Sequence, residues 1–444
     1  MAETAAPRAV GCVRQPIRGT ILVPGSKSIS QRAMVLAALA DQPTRIDGVL
    51  DAEDTRRLAA GMAACGATIE WGAAGLQVTP GAPPAIGTTS WVRVDAGDGG
   101  TPARFMMALA PALGVPIELD GSARLRERPM ADGIDLIRQL GAVVEERGEP
   151  GHLPIRISGR LRGGEAVVGR VASSQFVSAL LLVAPALPAG LTLEIQQPLP
   201  SVEYIDLTAD VLARVGVKLE RDSLLGDVRR IAVGPASIRG GLSHVDADAS
   251  SAAYWWVAAA IVPGSSMVVH GVSATSNQPD MGVHRTLCRM GAVSVDAGMG
   301  LGVASSGGLR AAEVDASAFP DGSLAIAAAM ACAEGTSRLT GLHTLRGKES
   351  DRIEAMATAL RSVGVSVDTG PDWMAIEGRG WASGATAPPS GQVVIDPVGD
   401  HRIAMSTALL GLRRPGVAVS DPGCVAKSYP GFWDDLRLVS EAAS

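Results

Sequence analysis

In "RGKESDRIEAM", Arg346 to Met356, a lysine, a glutamate and an arginine lie within about one helical turn. A helix there puts Lys348 and Arg352 at i, i+4 on one face, with Glu349 three residues before Arg352. A carboxylate among cations can shuttle protons beside a bound anion; an exposed, salt-bridged face would use the same letters. "FPDGS" sets Asp321 before a small apolar helix, where an N-cap also accounts for it. "GDHRIAM" places His401 and Arg402 at a like position, and "CVAKSYP" ends in Lys427, by its own letters an ordinary surface lysine. In "PGSKS", glycine lets backbone approach a ligand, Ser28 can cap the helix that follows, and Lys27 and Arg32 would face an incoming phosphate or carboxylate. A Gly-Ser turn with solvated cations is the alternative. The segment is not a Walker A loop, since G-x-x-x-x-G-K-[ST] is absent.

Three further stretches carry similar chemistry. "DAGDGGTPARF" offers an amide-rich turn around Gly100 and Thr101, an anion nest or a plain tight turn. In "RLRERPM", Pro129 disfavours helix at Arg128, so an extended run would point Arg124, Arg126 and Arg128 the same way, toward an anion or into solvent. "SSQFVSALLL" supplies Ser173, Ser174 and Gln175 as neutral donors, or as ordinary caps, before an apolar helix. Taken together, these cations recur in register with a repeat on a net acidic chain. Independent surface charges have no reason to keep that register, so a cleft for a small, multiply anionic substrate is the better reading.

The repeat is what must position them. A helix, then glycine with a small residue, then an alternating strand recurs at Gly66, Gly141, Gly216, Gly291 and Gly364, every 73 to 75 residues. Glycine there suits the left-handed residue that ends a helix. Helices of small apolar residues recur with the same period, starting near Ser28, Thr101, Ser174, Ser250, Ser323 and His401. The reading is six copies of strand, buried helix, strand, amphipathic helix, strand, three per domain, with the Gly-rich "ASIRGGLSHVDADAS" as candidate hinge. Amphipathic helices would cover each domain and apolar ones lie inside, their Ser, Thr or Asp side chains capping orphan amides. If those helix starts converge, their partial charges favour an anion.

Composition narrows the classes. At 444 residues, 47% hydrophobic and 19% charged, the chain is an ordinary globular protein of at least two domains. A net charge of −6 argues against a nucleic-acid or acidic-membrane surface. Five scattered cysteines without a C-x-x-C pair, and six histidines without ligand spacing, point to reduced thiols in a cytoplasmic protein and to no metal site. The longest apolar run, Phe176 to Leu191, is broken by Pro185 and Pro188 and is too short for a bilayer; no secretion signal is visible at the start.

"PGSKSISQRA", "GDGGTPARF", "RLRERP", "SSQFVSALL", "SVEYID", "DASSAAY", "FPDGS", "RGKESDR", "GDHRIAM" and "CVAKSYP" resemble, in order from about residue 20 to 432, the motif series of the 5-enolpyruvylshikimate-3-phosphate (EPSP) synthase family. That resemblance implies a two-domain inside-out α/β barrel of six βαβαββ-type repeats. The domains would be 25–243, on the shikimate 3-phosphate side, and 1–24 with 244–444, completing the phosphoenolpyruvate site and closing over the substrates. It implies enolpyruvyl transfer from phosphoenolpyruvate to the 5-hydroxyl of shikimate 3-phosphate in aromatic amino-acid biosynthesis, no cofactor, no metal, a cytoplasmic monomer, and a glyphosate target. The implied shikimate 3-phosphate contacts are Lys27, Ser28, Arg32, Ser173, Ser174, Gln175, Ser201, Tyr204, Asp321 and Lys348. Those for phosphoenolpyruvate are Lys27, Gly100, Thr101, Arg128, Gln175, Arg352, Arg402 and Lys427. Asp321, Glu349 and Lys27 would be catalytic, Asp321 near the attacking hydroxyl and Glu349 on the side of the vinyl carbon. Two residues depart from the family pattern: Asp98 and Thr344 stand where Asn is usual. The sister family using a UDP-linked amino sugar is expected to carry a cysteine in the Gly121–Met130 loop, which has none.

Overall fold

The alternation of small apolar and half-polar segments becomes a repeated order of strand, helix, strand, helix and two closing strands. In the second copy these are Val92–Asp95, Gly100–Leu113, Ile117–Asp120, Ala131–Gln139, Ala142–Glu146 and Ile155–Gly159. The first two strands pair in parallel, Val92 opposite Ile117, and the last strand lies antiparallel between the second and third. The computed structural model describes residues 6–73, 75–82, 91–196, 199–224 and 228–441. Within them are five four-stranded sheets of this one order and a three-stranded sixth.

The chain divides into two compact units, Gly25–Asp246 and Met1–Pro24 with Ala247–Ser444. Two strands are exchanged at the crossings. Arg18–Leu22 precedes the Lys27 helix in sequence but pairs in parallel with Ser266–His270. Gly241–His244 precedes the Ala249 helix but pairs in parallel with Thr44–Asp47. The Gly-rich stretch expected as a hinge is therefore partly a sheet strand, because its backbone groups gain a ladder there. A Cβ at Gly25 would lie 1.7 Å from the Gly48 carbonyl oxygen, so this crossing passes too close to backbone for any side chain. Among the described residues the sixth repeat has no closing hairpin of its own; Arg8–Ala9 pairs antiparallel with Val417–Val419 and covers that edge.

Each unit has its own core. The Ser323–Cys332 helix is buried along its whole length, and in Gly100–Leu113 only Thr101 and Leu113 are not. Helices apolar on every side belong inside. The amphipathic set shows the opposite pattern: Ala131–Gln139 buries Gly133, Ile134, Leu136 and Ile137 and turns its charges outward. The periodic glycines have φ of +111° (Gly66), +105° (Gly141), +86° (Gly216), +112° (Gly291) and +90° (Gly364), the conformation expected of them. Inner helices under outer sheets and helices make this the inside-out α/β barrel architecture, in six repeats. No helix among the described residues is long and apolar enough to cross a membrane.

Candidate active site

In the unit Gly25–Asp246, three inner helices start at Lys27, Gly100 and Gln175, with Ser26, Gly99 and Ser174 at their N-caps. None is capped by the side chain of its N-cap residue, contrary to the capping read from Ser28, Thr101 and Ser174, whereas Ser173, the other cap read at the third helix, does accept from the Gln175 amide. Ser28 and Thr101 lie within the first turn, and the Ser174 hydroxyl donates to the Ser201 carbonyl (3.1 Å). Apart from the Gln175 amide, which Ser173 Oγ takes, the first-turn amides keep their partial positive charge for another acceptor. Lys27 Nζ sits 3.0 Å from Asp54 Oδ2 on the neighbouring helix Glu53–Ala64.

Arg32 does not face outward. It is 2% exposed, donating from Nε to Thr208 Oγ1 (2.8 Å), from Nη1 to the Ser28 carbonyl (2.9 Å), and from Nη2 to Ser178 Oγ and the Tyr204 carbonyl (3.2 Å each). Its guanidinium lies 5.6 Å from the Phe105 ring centroid and 5.8 Å from that of Tyr204. Burial lowers its pKa to about 10, which leaves it a cation at neutral pH. Ser173 Oγ accepts from the Gln175 amide (3.3 Å), and Gln175 Oε1 accepts from Arg104 Nη1 (2.7 Å). Ser201 has φ +52°, a left-handed conformation that costs a serine on the order of 1–3 kcal/mol and that clusters at binding sites.

The "RLRERPM" segment is not extended. Ala123–Arg126 is one helical turn capped by Ser122, whose Oγ accepts from the Leu125 amide (3.1 Å). The turn fans the arginines apart: Arg124 pairs with Glu127 (2.5 Å) and Arg126 with Asp120 (2.6 Å). Pro129 does keep Arg128 outside the helix, and Arg128 alone of the three is buried. A Cβ on Gly100 would lie 2.7 to 2.8 Å from the Arg128 guanidinium, so these two expected site residues are in contact. Asp98 accepts a hydrogen bond from the Ser122 hydroxyl.

In the unit containing Ala247–Ser444, the starts of the Ala249, Ser323 and His401 helices meet. "RGKES" is a turn rather than helix, which begins at Arg352 behind the N-cap Asp351, whose side chain accepts from the Glu354 amide. Local side-chain capping wins over helix extension. Lys348 and Arg352 nevertheless converge on Asp321, at 3.3 and 2.7 Å from Oδ1. Arg352, 1% exposed, also donates from Nη2 to Glu349 Oε2 (2.9 Å) and from Nε to Asp400 Oδ2 (2.7 Å). Lys427 is no surface lysine: it is 6% exposed, with Nζ 3.2 Å from Glu349 Oε1. Arg402 Nη2 lies 3.6 Å from Asp321 Oδ2 and 3.4 Å from Ser250 Oγ. Asp321 is not an N-cap, a place taken by Gly322.

Against this geometry, the family model described as EPSP synthase (3-phosphoshikimate 1-carboxyvinyltransferase) matches residues 13–436. This chain belongs to the EPSP synthase family. Among its relatives, proteins named 3-phosphoshikimate 1-carboxyvinyltransferase from Methanoculleus marisnigri and Syntrophobacter fumaroxidans are 39% and 37% identical. The alignments cover 95% of this chain in both cases and 96% and 97% of the relatives. The EPSP synthase structure from Acinetobacter baumannii superposes with TM-score 0.79 at 28% identity, over 99% of this chain and 98% of that one. The enolpyruvyl transferase NikO from Streptomyces tendae, at 18% identity and TM-score 0.73 over 98% of this chain and 97% of that one, shares the fold.

Electrostatics of this family member's carboxylates differ by surroundings. Burial by itself would raise the Asp321 carboxyl, but Lys348, Arg402 and Arg352 outweigh it and hold the group well below the ordinary carboxylate range. Asp280 goes the other way: burial pushes it up to about 6, although Arg402 opposes the rise. Reading the sequence missed Asp280, Asp54 and Arg104, which sit in stretches otherwise read as outer helix, turn or core. Only Arg104, a charge within an apolar inner helix, carried a signal; Asp54 and Asp280 stand on or before amphipathic outer helices, where a charge is ordinary. Thr344 Oγ1 is buried without a hydrogen-bond partner among the described residues. Among the described residues, no group of three or more His, Cys, Asp or Glu is arranged to hold a metal.

Proposed function

We propose that the protein transfers the enolpyruvyl group of phosphoenolpyruvate to the 5-hydroxyl of shikimate 3-phosphate, releasing phosphate. The observation that carries this, beside family membership, is one buried guanidinium, Arg352, holding two carboxylates, Asp321 and Glu349, among Lys348, Arg402 and Lys427. The chemistry needs two proton-handling groups beside an anion. The 5-hydroxyl oxygen bonds to C2 of phosphoenolpyruvate and gives its proton to Asp321. The methylene at C3 gains a proton through Glu349, forming a tetrahedral phosphoketal. Loss of phosphate breaks the C2–O bond, and Glu349 takes a methyl proton back, restoring the vinyl group.

Free Asp321, held low by three cations, is a weak base. A phosphate and a carboxylate that draw on Arg352, Arg402 and Lys348 remove that stabilisation, so substrate binding raises its basicity when the hydroxyl is present. Arg402, Lys427, Arg352, Arg128, Gln175, Lys27 and the amides at Gly100 and Thr101 are assigned to phosphoenolpyruvate. The Ser28, Ser173, Ser174, Gln175, Ser201 and Tyr204 groups, with Lys27, Lys348 and the remaining N–H of Arg32, are assigned to shikimate 3-phosphate. The same cations stabilise the departing phosphate. All five cysteines are free thiols, which supports a reducing, cytoplasmic setting.

The test is a phosphate-release assay. Phosphate is expected only when phosphoenolpyruvate and shikimate 3-phosphate are supplied together; release with UDP-N-acetylglucosamine as acceptor instead would replace this reading with the sister reaction.

A further inference from the structure

Asp280 precedes the Met281–Arg289 helix at its N-cap position, yet its side chain does not cap that helix. The carboxylate turns inward and is 2% exposed. Oδ2 accepts a hydrogen bond from the Ser250 hydroxyl, and Oδ1 accepts from the Gly322 amide at 3.1 Å. Both partners lead to the reaction machinery. Ser250 Oγ, its proton committed to Asp280, turns a lone pair toward Arg402 Nη2 at 3.4 Å. Gly322 is joined by one peptide bond to Asp321. There is no slack at this point: a Cβ on Gly322 would lie 2.8 Å from Asp280 Oδ1.

We propose that Asp280 is a positioning residue for the transfer reaction, its buried carboxylate fixing Arg402 through Ser250 and Asp321 through the Gly322 amide. This rests on the reaction proposed above. An anion that forgoes capping its own helix and stays buried needs compensation. It has it in two hydrogen bonds and in the positive charge of Arg402 beyond Ser250. Burial lifts the carboxyl to about 6, so it is ionised at neutral pH. The arrangement divides its effects: the Ser250 arm bears on the cation that holds substrate, and the Gly322 arm on the carboxylate that takes the proton.

Asparagine at position 280 keeps an acceptor for the Gly322 amide but removes the charge and presents NH2 to Ser250. Asp280→Asn is expected to raise the KM for phosphoenolpyruvate about tenfold while kcat stays within about threefold. Asp280→Ala, which loses both arms, is expected to lower kcat at least tenfold further, roughly. Ser250→Ala should raise the same KM, and adding it to Asp280→Asn should change KM by less than about twofold, since the two act in series. Both single variants retaining wild-type KM and kcat would overturn the inference, as would additive KM effects. If Asp280→Ala does not fold, Asp280→Asn and Ser250→Ala decide. A wild type that releases no phosphate sinks the reaction, not this linkage. Crystal structures of the wild type and Asp280→Asn then judge it: Arg402 leaving Ser250 is expected, and an unmoved Arg402 overturns it.

Discussion

Glu349 and Asp321 share Arg352 but are offered different work. Glu349→Gln keeps the hydrogen bond from Arg352 and loses the exchangeable proton, so binding of shikimate 3-phosphate should persist while turnover falls about a hundredfold or more. Single-turnover kinetics with a separate binding titration check this; undiminished turnover removes Glu349 from the chemistry. Asp321 makes a prediction about stability. Its carboxyl, though burial favours the neutral form, is held below the usual range by Lys348, Arg402 and Arg352. A group whose folded pKa is depressed contributes stability that is present above its unfolded value, about 3.9, and lost as pH falls below it. The stability gap between wild type and Asp321→Asn should therefore be widest at neutral pH and close as pH drops below about 4. Urea midpoints across that range give the measurement. The charges themselves were plain in the sequence, but their burial was not: Lys427 and Arg32 look like surface residues until packing is known.

Helix starts set the next scale. Gly100 opens its helix against the Arg128 guanidinium, and a methyl group there meets the far end of a flexible side chain rather than backbone. Gly100→Ala should leave the melting temperature nearly unchanged yet displace Arg128. Losing one charge-assisted hydrogen bond, about 1.5–3 kcal/mol, raises the KM for phosphoenolpyruvate about tenfold or more. Steady-state kinetics beside a thermal melt separate the two effects. Apolar helices and their terminal glycines were legible because burial and positive φ leave compositional marks. The "RLRERP" and "RGKES" segments were misread because both are decided by single hydrogen bonds, Ser122 to Leu125 and Asp351 to Glu354. Such local competition between capping and continuation leaves no periodicity to read.

The whole chain is organised by two exchanged strands. Val10, Val13, Ile17 and Ile21 from the N-terminal segment are buried in the core otherwise built from Ala247–Ser444. Deleting residues 1–22 removes all four, about 6 kcal/mol or more of apolar burial, and strips two sheet edges. That unit is expected to unfold while Gly25–Asp246 survives, so limited proteolysis should yield a resistant fragment with those ends; a resistant C-terminal unit would contradict the strand exchange. By its own letters the sequence determined the six-fold repeat, the inner and outer helix classes and the ordered motifs, because each is written in spacing and hydrophobic pattern. Only the tertiary structure decided that Asp321, Glu349, Arg352, Arg402, Lys427 and Asp280 meet, and which of them are buried. Contacts between residues dozens to more than a hundred positions apart arise when three helix starts pack together, and their pKa values follow from that packing rather than from residue type.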